Sequence, residues 1–153
     1  MSRDTNDYRE RSDGGSSEAM SLLREGASEL HITLDEMQLT RFADYQRELI
    51  EWNQRVNLTS IVDPDEIQRR HFLDSLTCVL GAPELFSAPG TRLIDIGSGA
   101  GFPGLPLKIA YPTLQVTLTE ARGKRVTFLQ HILEVLGIRS EEHTSELQSR
   151  GLI

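Results

Sequence analysis

Apolar residues recur every three or four positions along the first half of the chain, the spacing of a helix with one buried face. The longest such pattern predicts a helix of about five turns. It consists of Leu39, Phe42, Tyr45, Leu49, Trp52 and Val56. Thr33, with Glu36 three residues later, predicts a capping box at its start. A shorter amphipathic helix is predicted before it, from Glu18 to about His31.

A third helix is predicted to begin at Asp63, because this carboxylate suits an N-cap and Pro64 suits the first helical position. Its predicted inner face comprises Ile67, Phe72, Leu76, Val79 and Leu80. Cys78 lies in the same apolar pattern, so we expect it to be a small buried side chain. As the only cysteine it has no partner for an internal disulfide, which agrees with a reducing compartment.

The hydrophobic period changes after Gly90. Two short apolar runs, Arg92–Ile96 and Leu114–Thr119, are typical of buried strands, and a helix is predicted between them around residues 105–110. Another helix is predicted from Gly123 to Leu136. Strand, helix, strand and helix in this order indicate an α/β unit with parallel strands and a right-handed crossover. Because a stable sheet usually needs three or more strands, the predicted sheet is incomplete.

The two ends of the chain differ in composition from its middle. Residues 1–17 contain almost no apolar side chains, which predicts a disordered leader. Residues 139–153 resemble the conceptual translation of a sequencing-library adapter, and we expect a non-native tail that truncates a longer protein. The alternative is a native polar helix capped by Ser140. Between the ends we expect a helical N-terminal region, 18–88, and a partial α/β domain, 89–138.

Composition and charge exclude some classes of protein. The 153 residues carry a formal net charge of −7, which argues against a protein that coats nucleic acid, although a local basic face remains compatible with it. No apolar run approaches the roughly 20 residues needed to span a membrane. The N-terminus lacks the apolar core of a secretory signal, so we expect a cytoplasmic protein.

A glycine-rich loop after the first predicted strand is the strongest functional signal. Glycines let the backbone turn tightly and approach a ligand, and the following helix offers free N–H groups. The segment runs from Asp95 to Gly104 and contains Gly97, Gly99 and Gly101. Glu120 ends the next predicted strand, where a carboxylate can accept both hydroxyls of a ribose. Together these residues predict a site for an adenosine-containing cofactor.

The loop satisfies two cofactor patterns. Gly99-x-Gly101-x-x-Gly104 fits the dinucleotide pattern, which predicts a fragment of a nicotinamide-dinucleotide oxidoreductase. The register from Asp95 to Gly101, acid-x-Gly-x-Gly-x-Gly, starts at the strand end and fits S-adenosyl-L-methionine. We favour the second register, because Asp95 and Glu120 attract a sulfonium cation and repel a pyrophosphate.

Four motifs occur in order along the chain, namely Trp52–Ser60, Arg70–Ser75, Leu93–Gly104 and Gly123–Leu129. Together they resemble the bacterial small-subunit rRNA guanine-N(7) methyltransferase family, also called the glucose-inhibited division protein B family. The resemblance covers about Leu34–Ile138. It implies an α/β fold in which the N-terminal helical region precedes the first half of a Rossmann-like S-adenosylmethionine-dependent methyltransferase domain.

The resemblance also implies a chemistry. The cofactor would be S-adenosyl-L-methionine, with Gly97 and Phe102 at cofactor-binding positions, and the partner would be 16S rRNA of the small ribosomal subunit. Guanine N7 carries a lone pair at neutral pH, so methyl transfer needs no general base. Placement and exclusion of water would supply the rate, and no catalytic residue is predicted.

Basic side chains near these motifs are candidates for contacts with RNA phosphates. They are Arg69, Arg70, His71, Arg122, Lys124 and Arg125. For His71 the alternative is a hydrogen bond with Asp74. The four histidines lack ligand spacing, so no metal is predicted. We expect the intact protein to be monomeric and the truncated chain to be inactive. The last alternative for its function is a non-catalytic RNA-binding fragment.

Overall fold

The computed structural model describes residues 15–139. The helical region contains α1 (Ser21–Glu29), α2 (Glu36–Asn53), α3 (Pro64–Ile67), a π-helix (Gln68–Leu73), α4 (Asp74–Leu76), a 3-10 helix (Thr77–Gly81) and α5 (Pro83–Ser87). The α/β unit contains β1 (Arg92–Ile96), α6 (Gly104–Ala110), β2 (Gln115–Thr119) and α7 (Gly123–Val135). Of the predicted leader only residues 15–17 are described, and they are helical. All of the predicted tail except Arg139 lies outside the described residues.

Helix α2 is capped by Asp35, so the prediction that Thr33 and Glu36 form the capping box was wrong. Asp35 Oδ1 accepts the N–H of Gln38 and Gln38 Oε1 accepts the N–H of Asp35, each at 2.8 Å. The chain stays extended through Asp35 because Leu34 packs into the core with 7% of its surface exposed. Tertiary packing therefore moves the helix start by two residues.

A continuous helical segment follows Asp63, whose Oδ1 accepts the N–H of Glu66 at 3.0 Å, which confirms the predicted cap. The segment passes through a π-helix, returns to α-helix and ends as a 3-10 helix, so its pitch changes three times. Because a 3-10 helix has three residues per turn, the predicted inner face does not persist to its end. Cys78 and Leu80 are exposed, and the predictions that placed them inside were wrong.

The two strands pair in parallel, from Arg92 opposite Gln115 to Ile96 opposite Thr119, with α6 in the crossover. This confirms the predicted strand order and parallel arrangement. Only one face of the sheet is buried. Ile94 and Ile96 on the other face are 66% and 85% exposed, so the prediction of fully buried strands was wrong for this face within the described part of the chain.

One hydrophobic core joins the helical region to the α/β unit. Helix α2 contacts both α6 and α7. Trp52 near the end of α2 packs edge-on against Phe128 of α7, with ring centroids 5.6 Å apart. None of the described helices is long and apolar enough to cross a membrane. Through the contacts of α2 with α6 and α7, the helical region forms part of the support for the loop that follows β1.

Candidate functional site

Two glycines of the loop after β1 have open space beside their backbone. Gly97 and Gly99 have φ angles of +74° and +58°, which L-residues rarely adopt. A Cβ at Gly97 would meet no atom within 4 Å, and one at Gly99 would meet only Arg125 Nη1, at 3.8 Å. A ligand can therefore approach the backbone at these two positions.

Two other glycines serve packing. A Cβ on Gly101, where φ is +103°, would lie 2.5 Å from Tyr45 Oη, and one on Gly104 would lie 2.5 Å from Leu118 Cδ2. Gly101 therefore lets the loop contact α2, and Gly104 lets α6 contact β2. Both cofactor patterns found in the sequence contain open and packed glycines, so both are compatible with this geometry.

Asp95 lies beneath the loop, with 7% of its surface exposed. Its Oδ2 accepts the N–H of Gly104, the first residue of α6, at 2.9 Å. Burial raises the pKa of Asp95 despite this hydrogen bond. The hydroxyls of Ser98 and Thr119 donate to its backbone carbonyl, each at 3.1 Å. Asp95 therefore ties the end of β1 to both the loop and β2.

Glu120 lies at the end of β2, and both of its carboxylate oxygens accept hydrogen bonds from backbone N–H groups. Oε2 accepts the N–H of Gly99, and Oε1 accepts those of Ala121 and Arg122, each at 2.9 Å. Arg125 Nη1 lies 4.0 Å from Oε2. Burial raises the pKa of Glu120, but the three hydrogen bonds and the charge of Arg125 together hold it below its usual value. An ionised carboxylate thus lies beside the open backbone of Gly99.

Phe102 links the loop to the helical region through ring stacking. Its ring is nearly parallel to that of His71, at 4° and 4.3 Å between centroids, and it also stacks on Tyr45 at 5.5 Å. His71 Nε2 lies 2.7 Å from Thr59 Oγ1, and within residues 15–139 no hydrogen bond joins the side chains of His71 and Asp74, so that alternative was wrong. Burial, followed by the charge of Arg70, lowers the pKa of His71, which keeps the ring neutral at pH 7.

The sequence reasoning missed the part that Tyr45 plays. Its side chain is fully buried, and its hydroxyl donates to the carbonyl of Ala100 inside the loop. One signal was available: a tyrosine in the apolar stripe of a helix needs a partner for its hydroxyl. The location of that partner, 55 positions along the chain, depends on the fold.

The predicted RNA-contact residues fall into two groups. Arg69 and Arg70 are exposed and lie 3.5 and 3.9 Å from Glu66, close to His71 in sequence. Lys124 and Arg125 lie at the start of α7, in the wall of a surface pocket of about 550 Å³. Residues 15–139 contain no group of three or more His, Cys, Asp or Glu side chains placed to hold a metal ion.

The comparison with known proteins identifies the class of reaction. A sequence profile of the family GidB, rRNA small subunit methyltransferase G, matches residues 38–150. The chain belongs to this family. The match confirms the resemblance found in the four sequence motifs, and it supports a methyltransferase rather than an oxidoreductase.

Individual relatives agree with the profile. The ribosomal RNA small subunit methyltransferase G of Roseiflexus castenholzii is 58% identical over 108 residues, covering 71% of this chain and 44% of that protein. The protein of the same name from Chloroflexus aggregans is 55% identical over 115 residues, covering 75% and 47%. That from Alkaliphilus metalliredigens is 40% identical over 121 residues, covering 79% and 49%. The chain spans about half the length of these curated relatives.

Family membership and the structure agree on the fold class. Helices followed by a small parallel sheet are consistent with a partial Rossmann-like methyltransferase domain. A methyltransferase requires a methyl donor. The family profile extends to residue 150, across most of the segment that the sequence assigned to a non-native tail, and that assignment stays a prediction.

Proposed function

We propose that the intact protein transfers a methyl group from S-adenosyl-L-methionine to N7 of a guanine in 16S rRNA in the cytoplasm. Family membership supports the reaction class and the rRNA substrate. The observation that carries the cofactor assignment is the open backbone of Gly97 and Gly99 beside the ionised carboxylate of Glu120. These groups lie at the carboxyl ends of two parallel strands, where ligands bind in such sheets.

The residues present fit this cofactor. Gly97 and Gly99 leave space for a ligand against the main chain. A carboxylate offers about four acceptor sites, and three of those on Glu120 are occupied by N–H groups. Oε2 therefore has capacity for one ribose hydroxyl, and accepting both would require release of the Gly99 N–H. The negative charge of Glu120 favours a sulfonium cation.

The task of the chain in this reaction is placement. S-adenosyl-L-methionine supplies an electrophilic methyl group when bound, and guanine N7 supplies its own lone pair. Asp95 and Glu120 hold the two sides of the loop through its backbone N–H groups. Phe102, held between His71 and Tyr45, fixes the outer part of the loop. A rigid loop and exclusion of water then provide the rate, without a general base.

The RNA contacts belong to the same proposal. Arg69 and Arg70 are exposed, and ion pairs of this kind contribute little to stability, so both side chains are free to exchange Glu66 for a phosphate. His71 is held by Phe102 and Thr59, which suits a positioning residue. Lys124 and Arg125 provide the second cationic group.

Titration calorimetry tests the cofactor site. The 153-residue chain is expected to bind S-adenosyl-L-methionine saturably, and Gly97→Ala to weaken binding about tenfold or more by placing a methyl group in the ligand's path. Gly137→Ala is the matched control, because Gly137 also has a positive φ, +64°, and open space around it. Equal binding by both variants contradicts the site. Binding of NADH with no response to S-adenosyl-L-methionine supports an oxidoreductase instead.

Mass spectrometry of digested rRNA tests the reaction. A version of the protein extended to the length of its relatives is expected to produce 7-methylguanosine in 16S rRNA. The 153-residue chain, which spans about half that length, is expected to produce none. A methyl group on another atom or another RNA contradicts the proposed specificity.

A further inference from the structure

A second candidate site lies where the end of α2 meets the start of α7. A pocket of about 550 Å³ is lined there by Asn53–Asn57 and Arg122–Arg125. Four of these nine residues are cationic and none is acidic. The two lining segments lie 65 positions or more apart in the chain, so the fold has gathered this positive charge.

Little of this charge is neutralised by neighbours. Arg55 lies 3.9 Å from Glu51, an exposed pair, and Arg125 lies 4.0 Å from Glu120. Within residues 15–139, Arg122 and Lys124 form no ion pair. Since the exposed pair of Arg55 contributes little and Arg122 and Lys124 are unpaired within those residues, three of the four cations keep their charge and the pocket keeps a positive potential.

The polar groups of the pocket are mainly donors. Asn53 Oδ1 accepts the N–H groups of Leu58 and Thr59, each at 2.9 Å, so its amide N–H groups remain for a ligand. Helix α7 has 13 residues, and no side chain caps its start at Gly123. Its first N–H groups and the positive end of its dipole therefore add to the charge of the side chains.

We propose that this pocket binds a phosphodiester group of the RNA substrate, an inference that rests on the proposed function. Cations and donors without a competing carboxylate in the wall suit a phosphate oxygen. Arg125 also places the pocket next to the cofactor loop, since its Nη1 lies 3.8 Å from where a Cβ on Gly99 would be. An RNA strand anchored in the pocket would pass close to the methyl donor.

Fluorescence anisotropy with a labelled single-stranded RNA and the 153-residue chain tests this proposal. Arg122→Gln and Lys124→Gln are each expected to weaken binding about three- to tenfold at low salt. Each lost phosphate contact is expected to reduce the slope of log K against log salt by roughly 0.7. Arg92→Gln is the matched control, an exposed arginine outside the pocket that loses the same charge. Circular dichroism melts verify that all variants fold.

Each outcome of this experiment either supports the RNA-binding pocket or overturns it. Wild-type affinity in both pocket variants, or an equal loss in Arg92→Gln, overturns the pocket and leaves the cofactor site untouched. Absence of RNA binding by the wild type also overturns it. Occupancy by inorganic phosphate that leaves RNA affinity unchanged assigns the pocket to a free anion and overturns the RNA assignment. Pocket-dependent RNA binding without any binding of S-adenosyl-L-methionine supports the pocket and contradicts the cofactor site proposed for this chain.

Discussion

The side chain of Glu120 accepts a hydrogen bond from the backbone N–H of Gly99, with 2.9 Å between Oε2 and the nitrogen. This bond connects the end of β2 to the loop that follows β1. The other oxygen of the same carboxylate holds the chain that leads into α7, through Ala121 and Arg122. The residue proposed to bind a ribose thus also organises the loop beside it.

Replacement of Glu120 is expected to affect both stability and ligand binding. In Glu120→Ala the N–H of Gly99 loses its acceptor, whereas those of Ala121 and Arg122 are in exposed residues and can bond to water. We expect a loss of about 1–2 kcal/mol in urea denaturation. We also expect at least about tenfold weaker binding of S-adenosyl-L-methionine by calorimetry. An unchanged denaturation midpoint contradicts the structural role, and unchanged affinity contradicts the ribose contact.

The same carboxylate predicts a dependence of stability on pH. The pKa of Glu120 in the folded protein lies below its ordinary value of 4.5, so the unfolded chain binds the proton more readily. Its stabilising contribution is complete above pH 4.5 and is lost as the pH falls through the folded value. Glu120→Gln is expected to reduce this acid dependence in urea titrations. Asp95, whose raised pKa acts in the opposite direction, is present in both proteins.

The contact between Gly101 and Tyr45 predicts a coupled pair of mutations. Gly101→Ala adds a Cβ 2.5 Å from Tyr45 Oη at a residue whose φ is +103°. A loss of about 2 kcal/mol or more is expected. Tyr45→Phe removes the nearest atom, so the double variant is expected to lose less than the sum of the two single variants.

Urea denaturation of both single variants and the double variant measures this coupling. Gly137→Ala, at a positive φ in open space, estimates the cost of the backbone conformation alone. Additive effects of the two mutations contradict the close contact.

Local sequence signals predicted most of the elements. The apolar runs between glycines placed β1 and β2, and Asp63 followed by Pro64 placed a helix start, because these signals lie within a few residues of what they determine. Cys78 and Leu80 were misplaced because periodicity reasoning assumes one helical pitch. The change to π- and 3-10 geometry in their segment depends on packing against other elements.

The candidate site was also only partly predictable from local sequence. The glycine loop and Glu120 were visible as a motif. Which glycines stay open and which fill space depends on residues far along the chain, such as Tyr45 against Gly101 and Leu118 against Gly104. The spacing of residues in the sequence does not reveal these close contacts. The sequence therefore identified the loop without assigning the separate roles of its glycines.

His71 predicts a second dependence on pH. Burial, and then the charge of Arg70, holds its folded pKa below 6.5, so the unfolded chain binds a proton more readily near that pH. Stability is therefore expected to be higher above pH 6.5 and to decrease as the pH falls through 6.5 towards the folded pKa. NMR titration of the His71 ring measures the folded value directly. Arg70→Gln is expected to move it upward, and a downward shift contradicts the assigned cause.

The start of α2 provides a comparison between two candidates for the cap that lie two residues apart. Asp35 accepts the N–H of Gln38, whereas Thr33 is exposed and its side chain makes no hydrogen bond within residues 15–139. Asp35→Ala is expected to cost about 1 kcal/mol in urea denaturation. Thr33→Ala is expected to stay within about 0.5 kcal/mol of the wild type.

The cap also connects α2 to the α/β unit. Gln38 Nε2 donates to the carbonyls of Ile109 and Ala110 at the end of α6, at 3.0 and 3.1 Å. Loss of Asp35 removes the acceptor that holds the backbone of Gln38, so hydrogen exchange at the end of α6 is expected to accelerate as well. Thr33→Ala, which touches neither bond, is expected to leave exchange unchanged. A larger effect of Thr33→Ala than of Asp35→Ala would favour the capping box at Thr33 and contradict the one at Asp35.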